Sequence, residues 1–252
     1  MSQEYWDIAG LVTLEINKKV GAGFSLLDIG AGSGFAFEKI VERSGVNRIN
    51  KYVAIEPYPV AATALIQTLN RYDQVSSLVM IELYYQALAS DLEQKFDAVL
   101  FCHSLYGVRD PIGALNTAKN LLAKNDVVIA FIDSPLGFTE LFSEFDLCLN
   151  RDRPSIENFK LNSDRAADGL RSSGCNFSLL SISSYFDMSS FFDGGAESTA
   201  KRLEFLSFLL QCELADAPRQ LVRGVELRLR SGCVVRVGKQ VLPQRTDVIV
   251  IR

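Results

Sequence analysis

The residues best placed to do chemistry are an acid and three glycines in residues 26–35 (LLDIGAGSGF). The glycines are spaced G-x-G-x-G, between an apolar run typical of a strand and a pattern typical of a helix. Glycines at such a junction let the chain turn tightly and approach a ligand closely. Asp28 stands two residues before the first glycine, and Glu56 follows the next predicted strand, 22 residues after Gly34. An acid in that place can accept hydrogen bonds from both hydroxyls of a ribose.

Alternating strand and helix patterns surround this segment. Continuous apolar runs rich in β-branched residues indicate strands buried on both faces. Strand–helix alternation at short spacing indicates right-handed crossovers, so the sequence predicts a doubly wound α/β fold with a parallel sheet. The predicted strands are residues 25–29, 51–55, 77–83, 98–101 and 127–132, and the predicted helices are residues 35–43, 60–71 and 111–122.

The pattern changes after residue 133, where aromatic residues become frequent and the last segments alternate apolar and charged side chains. From Arg219 to Arg252 there are eight basic and two acidic residues. We expect these basic side chains to lie on the solvent face of antiparallel edge strands. The predicted elements are helices at residues 134–150, 164–172 and 197–212, and strands at residues 177–181, 225–230 and 248–251.

Composition excludes several classes of function. A chain of 252 residues that is 48% hydrophobic and 22% charged can bury a sizeable core and is not intrinsically disordered. Its net charge of −4 argues against nucleic-acid binding, because such proteins present a basic face to phosphates. Five scattered cysteines without a CxxC pair predict neither a disulfide framework nor a metal site. Without a signal-peptide pattern or a membrane-spanning run, a cytoplasmic location with no membrane partner is expected.

The glycine loop and its two acids resemble the class I S-adenosylmethionine-dependent methyltransferases, in which D-I-G-x-G-x-G is the first motif. The resemblance implies a mostly parallel seven-stranded sheet with an antiparallel C-terminal strand pair and a helical substrate cap. It also implies S-adenosylmethionine as the cofactor. An NAD-binding reductase is a distant alternative, since its fingerprint has the third glycine one residue later. The implied cofactor residues in this part of the chain are Asp28, Gly30, Ala31, Gly32, Gly34, Glu56 and Pro57.

Two further segments are similar to the histamine N-methyltransferase family. Residues 96–110 (FDAVLFCHSLYGVRD) share its aromatic-Asp start and its L-Y-x-V-[KR]-D ending, and residues 187–194 (DMSSFFDG) are like its D-I-S-x-x-F-x-D-G. The resemblance implies a substrate-facing polar residue at His103 and an adenine neighbour at Cys102, with an adenine-side serine near Ala89 or Ser90. It further implies an amine-holding acid at Glu4, a polar residue near Gln244 or Arg245, and pocket aromatics at Tyr106, Phe138, Phe142 and Phe192.

The same resemblance implies one methyltransferase domain with an N-terminal lid (1–24), a cofactor-binding core (25–133), cap elements (134–215) and C-terminal strands (216–252). We expect in-line methyl transfer to a small molecule, with an amine or imidazole nitrogen as the acceptor. An oxygen- or carboxyl-directed enzyme and a non-catalytic cofactor-binding subunit stay open as alternatives. His103 replaces the family's glutamine, so it is either a base or a residue that positions the substrate.

Overall fold

One mixed sheet organises the structure. The computed structural model describes residues 3–17, 23–45, 48–81, 95–135, 140–141, 144–145, 160–210 and 214–252. The strands are β1 (Phe24–Ile29), β2 (Ile49–Ile55), β3 (Ser76–Met80), β4 (Phe96–Cys102), β5 (Leu122–Asp133), β6 (Phe177–Asp187), β7 (Val234–Arg236) and β8 (Lys239–Ile251).

The strand order is β3-β2-β1-β4-β5-β8-β6, with the short β7 paired to β8. Strands β1 to β5 pair in parallel, whereas β8 runs antiparallel to both β5 and β6. The predicted doubly wound sheet with an antiparallel C-terminal pair is confirmed, and β7 adds an eighth strand. The order reverses between β1 and β4. In open α/β sheets, ligands bind at the carboxyl ends of the strands beside such a reversal.

Local signals explain where several helices begin. The side chain of Asp110 accepts a hydrogen bond from the Gly113 N–H at 2.9 Å, and Pro111 occupies the first turn, which together start a helix.

None of the described helices is long and apolar enough to cross a membrane. The helices are α1 (Gln3–Asn17), α2 (Phe35–Ser44), α3 (Pro59–Leu69), α4 (Pro111–Lys119), α5 (Ser163–Ser172), α6 (Ser189–Phe192), α7 (Ala196–Leu210) and α8 (Arg219–Gly232).

The prediction of a strand at residues 225–230 is wrong, because these residues lie inside α8. Val225 and Leu229 are buried, while Leu227 between them is 57% exposed. The buried positions are four residues apart, which is helical spacing. In a window of only six residues, apolar side chains at every second position are compatible with both a strand and a helix. Only the observed burial of Val225 and Leu229 distinguishes the two. The four arginines of α8, namely Arg219, Arg223, Arg228 and Arg230, therefore lie on a helix and not on an edge strand.

Three apolar clusters hold the elements together. The first lies on the sheet face covered by α1, α2 and α3, and the second lies on the opposite face under α4 and α5. The third, which we call the cap cluster, joins α6, α7 and α8 to Leu242 of β8.

Helix α1 is packed against the first sheet face. Ile8, Ala9 and Val12 are fully buried, and the ring of Tyr5 meets Phe35 of α2 edge-on with centroids 4.8 Å apart. Burial of these side chains is the main force that fixes the helix. The start of α1, which carries Glu4, is therefore held over the carboxyl ends of the strands.

Candidate active site

All three glycines of the loop, Gly30, Gly32 and Gly34, have positive φ angles, and the first two border the loop after β4 and open space, respectively. Gly30 and Gly32 have φ angles of 70° and 58°, in the left-handed region that side chains disfavour. A β-carbon on Gly30 would come within 2.5 Å of Ser104 Cβ in the loop after β4, whereas one on Gly32 would meet nothing within 4 Å. Gly30 is thus required for close packing of the two loops. Gly32 instead borders open space that a ligand can fill.

The other loop residues shape the start of α2. Gly34 precedes the first residue of the helix, and its N–H donates to the Ala31 carbonyl at 3.1 Å. Ala31 is 8% exposed and packs in the first apolar cluster. The chain therefore enters α2 at a point set by the glycine turn.

Glu56 ties the loop to β2. Its side chain is 4% exposed and accepts hydrogen bonds from the Gly32 N–H at 2.8 Å and from the Tyr58 N–H at 2.9 Å. Each carboxylate oxygen has a further lone pair, which leaves acceptor capacity for two hydroxyl groups. Pro57 separates Glu56 from the first turn of α3, so the acid sits at a fixed position between strand and helix.

Asp28 lies in the core beside the loop. It is fully buried, and its Oδ2 accepts a hydrogen bond from the Tyr52 hydroxyl at 2.7 Å. Its Oδ1 has no partner among the described residues. Burial is the main cause that raises the pKa of Asp28 to about 7; the charge of Glu56 adds to the rise and the Tyr52 hydrogen bond opposes it. An unpaired buried carboxylate oxygen destabilises the folded state unless a hydrogen-bond donor or a cation contacts it.

These features fit the cofactor that the sequence implies. S-adenosylmethionine would bring an α-ammonium for the unpaired Oδ1 of Asp28, two ribose hydroxyls for Glu56, and bulk for the space at Gly32. Cys102 ends β4 on the same sheet face. Burial raises the pKa of its thiol well above the ordinary value, helped by the charges of Asp28 and Glu4. It is therefore a neutral thiol at physiological pH and not a nucleophile.

His103 follows β4 with a left-handed φ of 52°, unusual for a residue other than glycine and a mark of functional positions. Its Nε2 lies 3.1 Å from Oε1 of Glu4, and its Nδ1 lies 3.7 Å from Oδ1 of Asp133 at the end of β5. The imidazole is thus held between two carboxylates contributed by different elements. The side chains are 21%, 20% and 22% exposed for His103, Glu4 and Asp133, so the group borders on accessible space.

Two hydroxyl groups complete this arrangement. The Thr246 hydroxyl donates a hydrogen bond to Glu4, and the Tyr106 hydroxyl oxygen accepts one from the Asp133 N–H at 2.6 Å. The ring of Tyr106 is near-parallel to that of His103, with centroids 6.5 Å apart. We call Glu4, His103, Asp133, Tyr106 and Thr246 the acid–imidazole cluster. It gathers residues from α1, from the segment after β4, and from β5 and β8.

The charges in the cluster are coupled. Burial lowers the pKa of His103, but the hydrogen bond with Glu4 and the charges of Glu4 and Asp133 together raise it above its usual value. Burial raises the pKa of Asp133, and the positive charge of His103 opposes that rise. When the imidazole is protonated and both carboxylates are ionised, the three groups together carry a net charge of −1. Among the described residues, no group of three or more acid, cysteine or histidine side chains is arranged to hold a metal ion.

Other predicted site residues lie elsewhere or outside the described part. Gln244 is on β8, two residues before Thr246, and pairs with Ser184 of β6. Phe192 lies in the cap cluster, where its ring meets the Arg230 guanidinium at 4.7 Å. Four predicted residues, Ala89, Ser90, Phe138 and Phe142, lie outside the described residues.

The sequence reasoning missed Asp133, Thr246 and Tyr52. Asp133 had a usable signal, since an acid at the carboxyl end of a parallel strand is the same feature that marked Asp28 and Glu56. Thr246 had none, because it joins the cluster only through the pairing of β8 with β5, which sets Thr246 opposite Asp133.

Comparison with protein families identifies the type of domain that carries this site. A family model described as a methyltransferase domain matches residues 8–163, more than half of the 252-residue chain. The matched segment contains the glycine loop, Glu56, His103 and Asp133. This match does not confirm the narrower resemblance to the histamine N-methyltransferase family, and a search of curated proteins finds no match to this chain.

Several solved structures share the fold. A candidate methyltransferase of Bacillus halodurans has a TM-score of 0.57 and 13% identity, with 98% of each chain covered. The plantazolicin methyltransferase BamL, solved with a triazolic desmethylPZN analogue and SAH, has a TM-score of 0.53 and 14% identity, covering 98% of this chain and 84% of that chain. The CurJ carbon methyltransferase has a TM-score of 0.53 and 15% identity, covering 98% and 53%. At these identities the similarity shows the fold alone.

Proposed function

The chain belongs to the methyltransferase-domain family, and from that premise we propose that it uses S-adenosylmethionine to methylate a nitrogen atom of a small cationic molecule. The acceptor assignment rests on one observation. The carboxylates of Glu4 and Asp133 flank His103. His103 directly follows β4, whose last residue, Cys102, belongs to the proposed cofactor site. The acid–imidazole cluster thus places charged side chains at the sheet edge that carries the proposed cofactor residues.

The cofactor half of the proposal assigns a role to each residue at the carboxyl ends of β1 and β2. Asp28 would meet the α-ammonium group, Glu56 would accept the ribose hydroxyls, and Gly32 would lie against the cofactor because no side chain fills the space beside it. The negative charges of Asp28 and Glu56 complement a cofactor that carries both an ammonium and a sulfonium group.

The acceptor half follows from charge. With His103 protonated, the acid–imidazole cluster has one more negative than positive charge, in a partly buried place where charges are weakly screened. Such a site attracts an ammonium or imidazolium group and repels a carboxylate. Among the proteins that share this fold, the CurJ enzyme is named as a carbon methyltransferase, so the fold itself does not point to nitrogen. The acceptor is therefore argued from the cluster and not from the fold.

The chemistry needs little acid–base assistance from the chain. Bound S-adenosylmethionine supplies an activated methyl group, which an acceptor lone pair takes in one in-line displacement while the C–S electron pair stays on sulfur. The acceptor nitrogen must be neutral at that moment, so an ammonium group first loses its proton to water. The chain's task is to hold the lone pair about 3 Å from the methyl carbon and to exclude water.

His103 fits a positioning role in this scheme. Both of its ring nitrogens face carboxylates, and its raised pKa favours the protonated ring. A protonated imidazole cannot accept the acceptor's proton. His103 would instead keep Glu4 and Asp133 in fixed places, where they bind the positive end of the acceptor.

The test is a transfer assay with methyl-labelled S-adenosylmethionine and matched acceptors. One aromatic scaffold bearing an amine, a phenol or a carboxylic acid would be supplied to the full chain, and the products identified by mass spectrometry. We expect label on the amine. Label only on the phenol or the carboxylic acid contradicts the nitrogen assignment. Tight SAH binding with no transfer to a broad acceptor panel would instead identify a non-catalytic cofactor-binding subunit.

A further inference from the structure

Tyr52 is a core residue that the mechanism above does not use. We propose that Tyr52 is a positioning residue of the cofactor site, which holds Asp28 so that its second oxygen meets the cofactor's α-ammonium, and that this arrangement makes cofactor binding release a proton. The inference rests on the cofactor part of the proposed function and is independent of the acceptor.

Sheet register brings the two side chains together. Tyr52 of β2 pairs with Leu26 of β1, and Asp28 pairs with Ala54. Tyr52 and Asp28 therefore point to the same sheet face, one strand apart and two residues apart along the strand. The tyrosine side chain spans that offset, and its hydroxyl reaches Asp28 Oδ2 at 2.7 Å.

The tyrosine ring is fixed by its neighbours. Its centroid is 4.4 Å from that of Phe37, which in turn meets Tyr72 edge-on at 5.5 Å. Tyr52 is fully buried, so its hydroxyl has one possible place. A ring so constrained can hold a carboxylate in a single orientation, and that orientation leaves Oδ1 of Asp28 without a partner among the described residues.

A purely structural role does not account for this pair. A buried carboxylate with one donor and one unpaired oxygen destabilises a fold, and apolar residues of similar size would pack there at lower cost. The pair becomes favourable once a cation meets the free oxygen. The α-ammonium of S-adenosylmethionine and of SAH is such a cation, with three N–H donors.

Proton release follows from the charges around Asp28. The groups that face it are Tyr52 of β2, Glu56 directly after β2, Cys102 of β4, and Tyr5 of α1. Burial raises the pKa of Tyr5, Tyr52 and Cys102 above their ordinary values, so these three stay neutral between pH 6 and 8. Because the pKa of Asp28 is about 7 without ligand, the carboxyl is partly protonated at neutral pH. An ammonium at Oδ1 favours the ionised form, and the proton leaves.

The direction in which SAH affinity changes with pH follows from this. Below its ligand-free pKa, Asp28 must lose a proton before it can pair with the ammonium. SAH affinity should therefore rise with pH by up to about tenfold per unit and level off above pH 7. Removal of the Tyr52 hydroxyl takes away the hydrogen bond that favours the ionised carboxylate. In Tyr52→Phe the levelling-off should therefore move to higher pH, with SAH binding about tenfold weaker at pH 7.

Calorimetric titration of the full chain with SAH tests this at pH 6, 7 and 8. Each pH is run in two buffers of different ionisation heat, which yields the number of protons released. Tyr72→Phe is the matched control, since it removes a hydroxyl from the same aromatic group without touching Asp28. We expect proton release near pH 7 in wild type and Tyr72→Phe, a curve shifted to higher pH in Tyr52→Phe, and no pH dependence in Asp28→Asn.

The outcomes separate this inference from the proposed function. If wild type binds SAH with no proton release, or if Tyr52→Phe matches Tyr72→Phe at every pH, the inference is overturned while the cofactor assignment stands. If wild type binds neither SAH nor S-adenosylmethionine, the proposed function itself fails. Should Tyr52→Phe not fold, wild type and Asp28→Asn still decide whether Asp28 carries the proton.

Discussion

The cofactor half and the acceptor half of the site are built in opposite ways. The main part of the cofactor half, from Asp28 to Glu56, comes from β1, the glycine loop that follows it, and the end of the adjacent parallel strand β2. The acceptor half joins residues as far apart as Glu4 and Thr246, which lie near the two ends of the chain. One half is thus encoded by a short contiguous segment, and the other exists only when the whole sheet is assembled.

The two halves also differ in how completely they are enclosed. Asp28 and Glu56 are buried, whereas His103, Glu4 and Asp133 are each about one fifth exposed. A buried half with fixed backbone contacts suits one invariant ligand, and a partly open half with charged side chains suits a variable acceptor. Variants in the first half should therefore affect cofactor binding, and variants in the second should affect the acceptor alone.

The largest effect is expected for Gly32→Val. A β-branched side chain is strained at a φ of 58° and would fill the open space beside the loop. SAH binding should fall by more than about a hundredfold, which calorimetry can measure. Gly45→Val is the matched control, because Gly45 also has a positive φ and open surroundings but lies at the far end of α2. Equal SAH binding by both variants would contradict the placement of the cofactor.

A smaller loss is expected for Glu56→Ala. The change removes the acceptor for two ribose hydroxyls and the hydrogen bond that fixes the Gly32 N–H, and charged hydrogen bonds contribute about 1.5–3 kcal/mol each. SAH affinity should drop at least about tenfold while the thermal transition stays cooperative. An unchanged dissociation constant would remove the ribose assignment.

Asp133→Asn tests the acceptor half alone. It keeps the shape of the side chain and removes one of the two negative charges beside His103. The KM for an amine acceptor should rise about tenfold, with kcat nearly unchanged and SAH affinity equal to wild type. Asp168→Asn on the exposed face of α5 is the control for the same chemical change. Weakened SAH binding in Asp133→Asn would show that the two halves are not separate.

His103→Gln should have a smaller effect on turnover. Glutamine can still donate a hydrogen bond to a carboxylate, so most of kcat should remain, whereas His103→Leu should lose acceptor affinity. Steady-state kinetics of both variants across pH would decide. A hundredfold loss of kcat in the glutamine variant, together with the loss of the rising limb of the pH profile, would make His103 a base.

The smallest expected effect is on the pH dependence of stability. The folded-state pKa of His103 is raised above the unfolded value, so its contribution is complete below about pH 6.5 and is lost as pH rises through the folded pKa. The melting temperature of wild type should therefore exceed that of His103→Gln by more at pH 6 than at pH 8. A difference that grows with pH would mean that the imidazole is held neutral.

Much of this architecture was determined by the sequence alone, because the signals involved are local. The apolar run in β1, β2, β4 and β5, the turn at Gly30 and Gly32, and the acid after β2 depend on a few neighbouring residues. They predicted the doubly wound sheet and gathered Asp28, the glycines and Glu56 at its carboxyl edge. Local reasoning failed at residues 225–230, where six residues satisfy both a strand and a helix period and burial by distant α7 decides the outcome.

The tertiary structure alone decided the acceptor half and the role of Tyr52. Asp133 and Thr246 become neighbours because β8 inserts antiparallel beside β5, and Glu4 reaches them because α1 packs its apolar face on the sheet. Tyr52 meets Asp28 because the register of β1 and β2 sets Tyr52 opposite Leu26, two residues from Asp28 on the same sheet face. Long-range pairings of this kind are selected by the summed burial of the whole core, so no short stretch of sequence contains them.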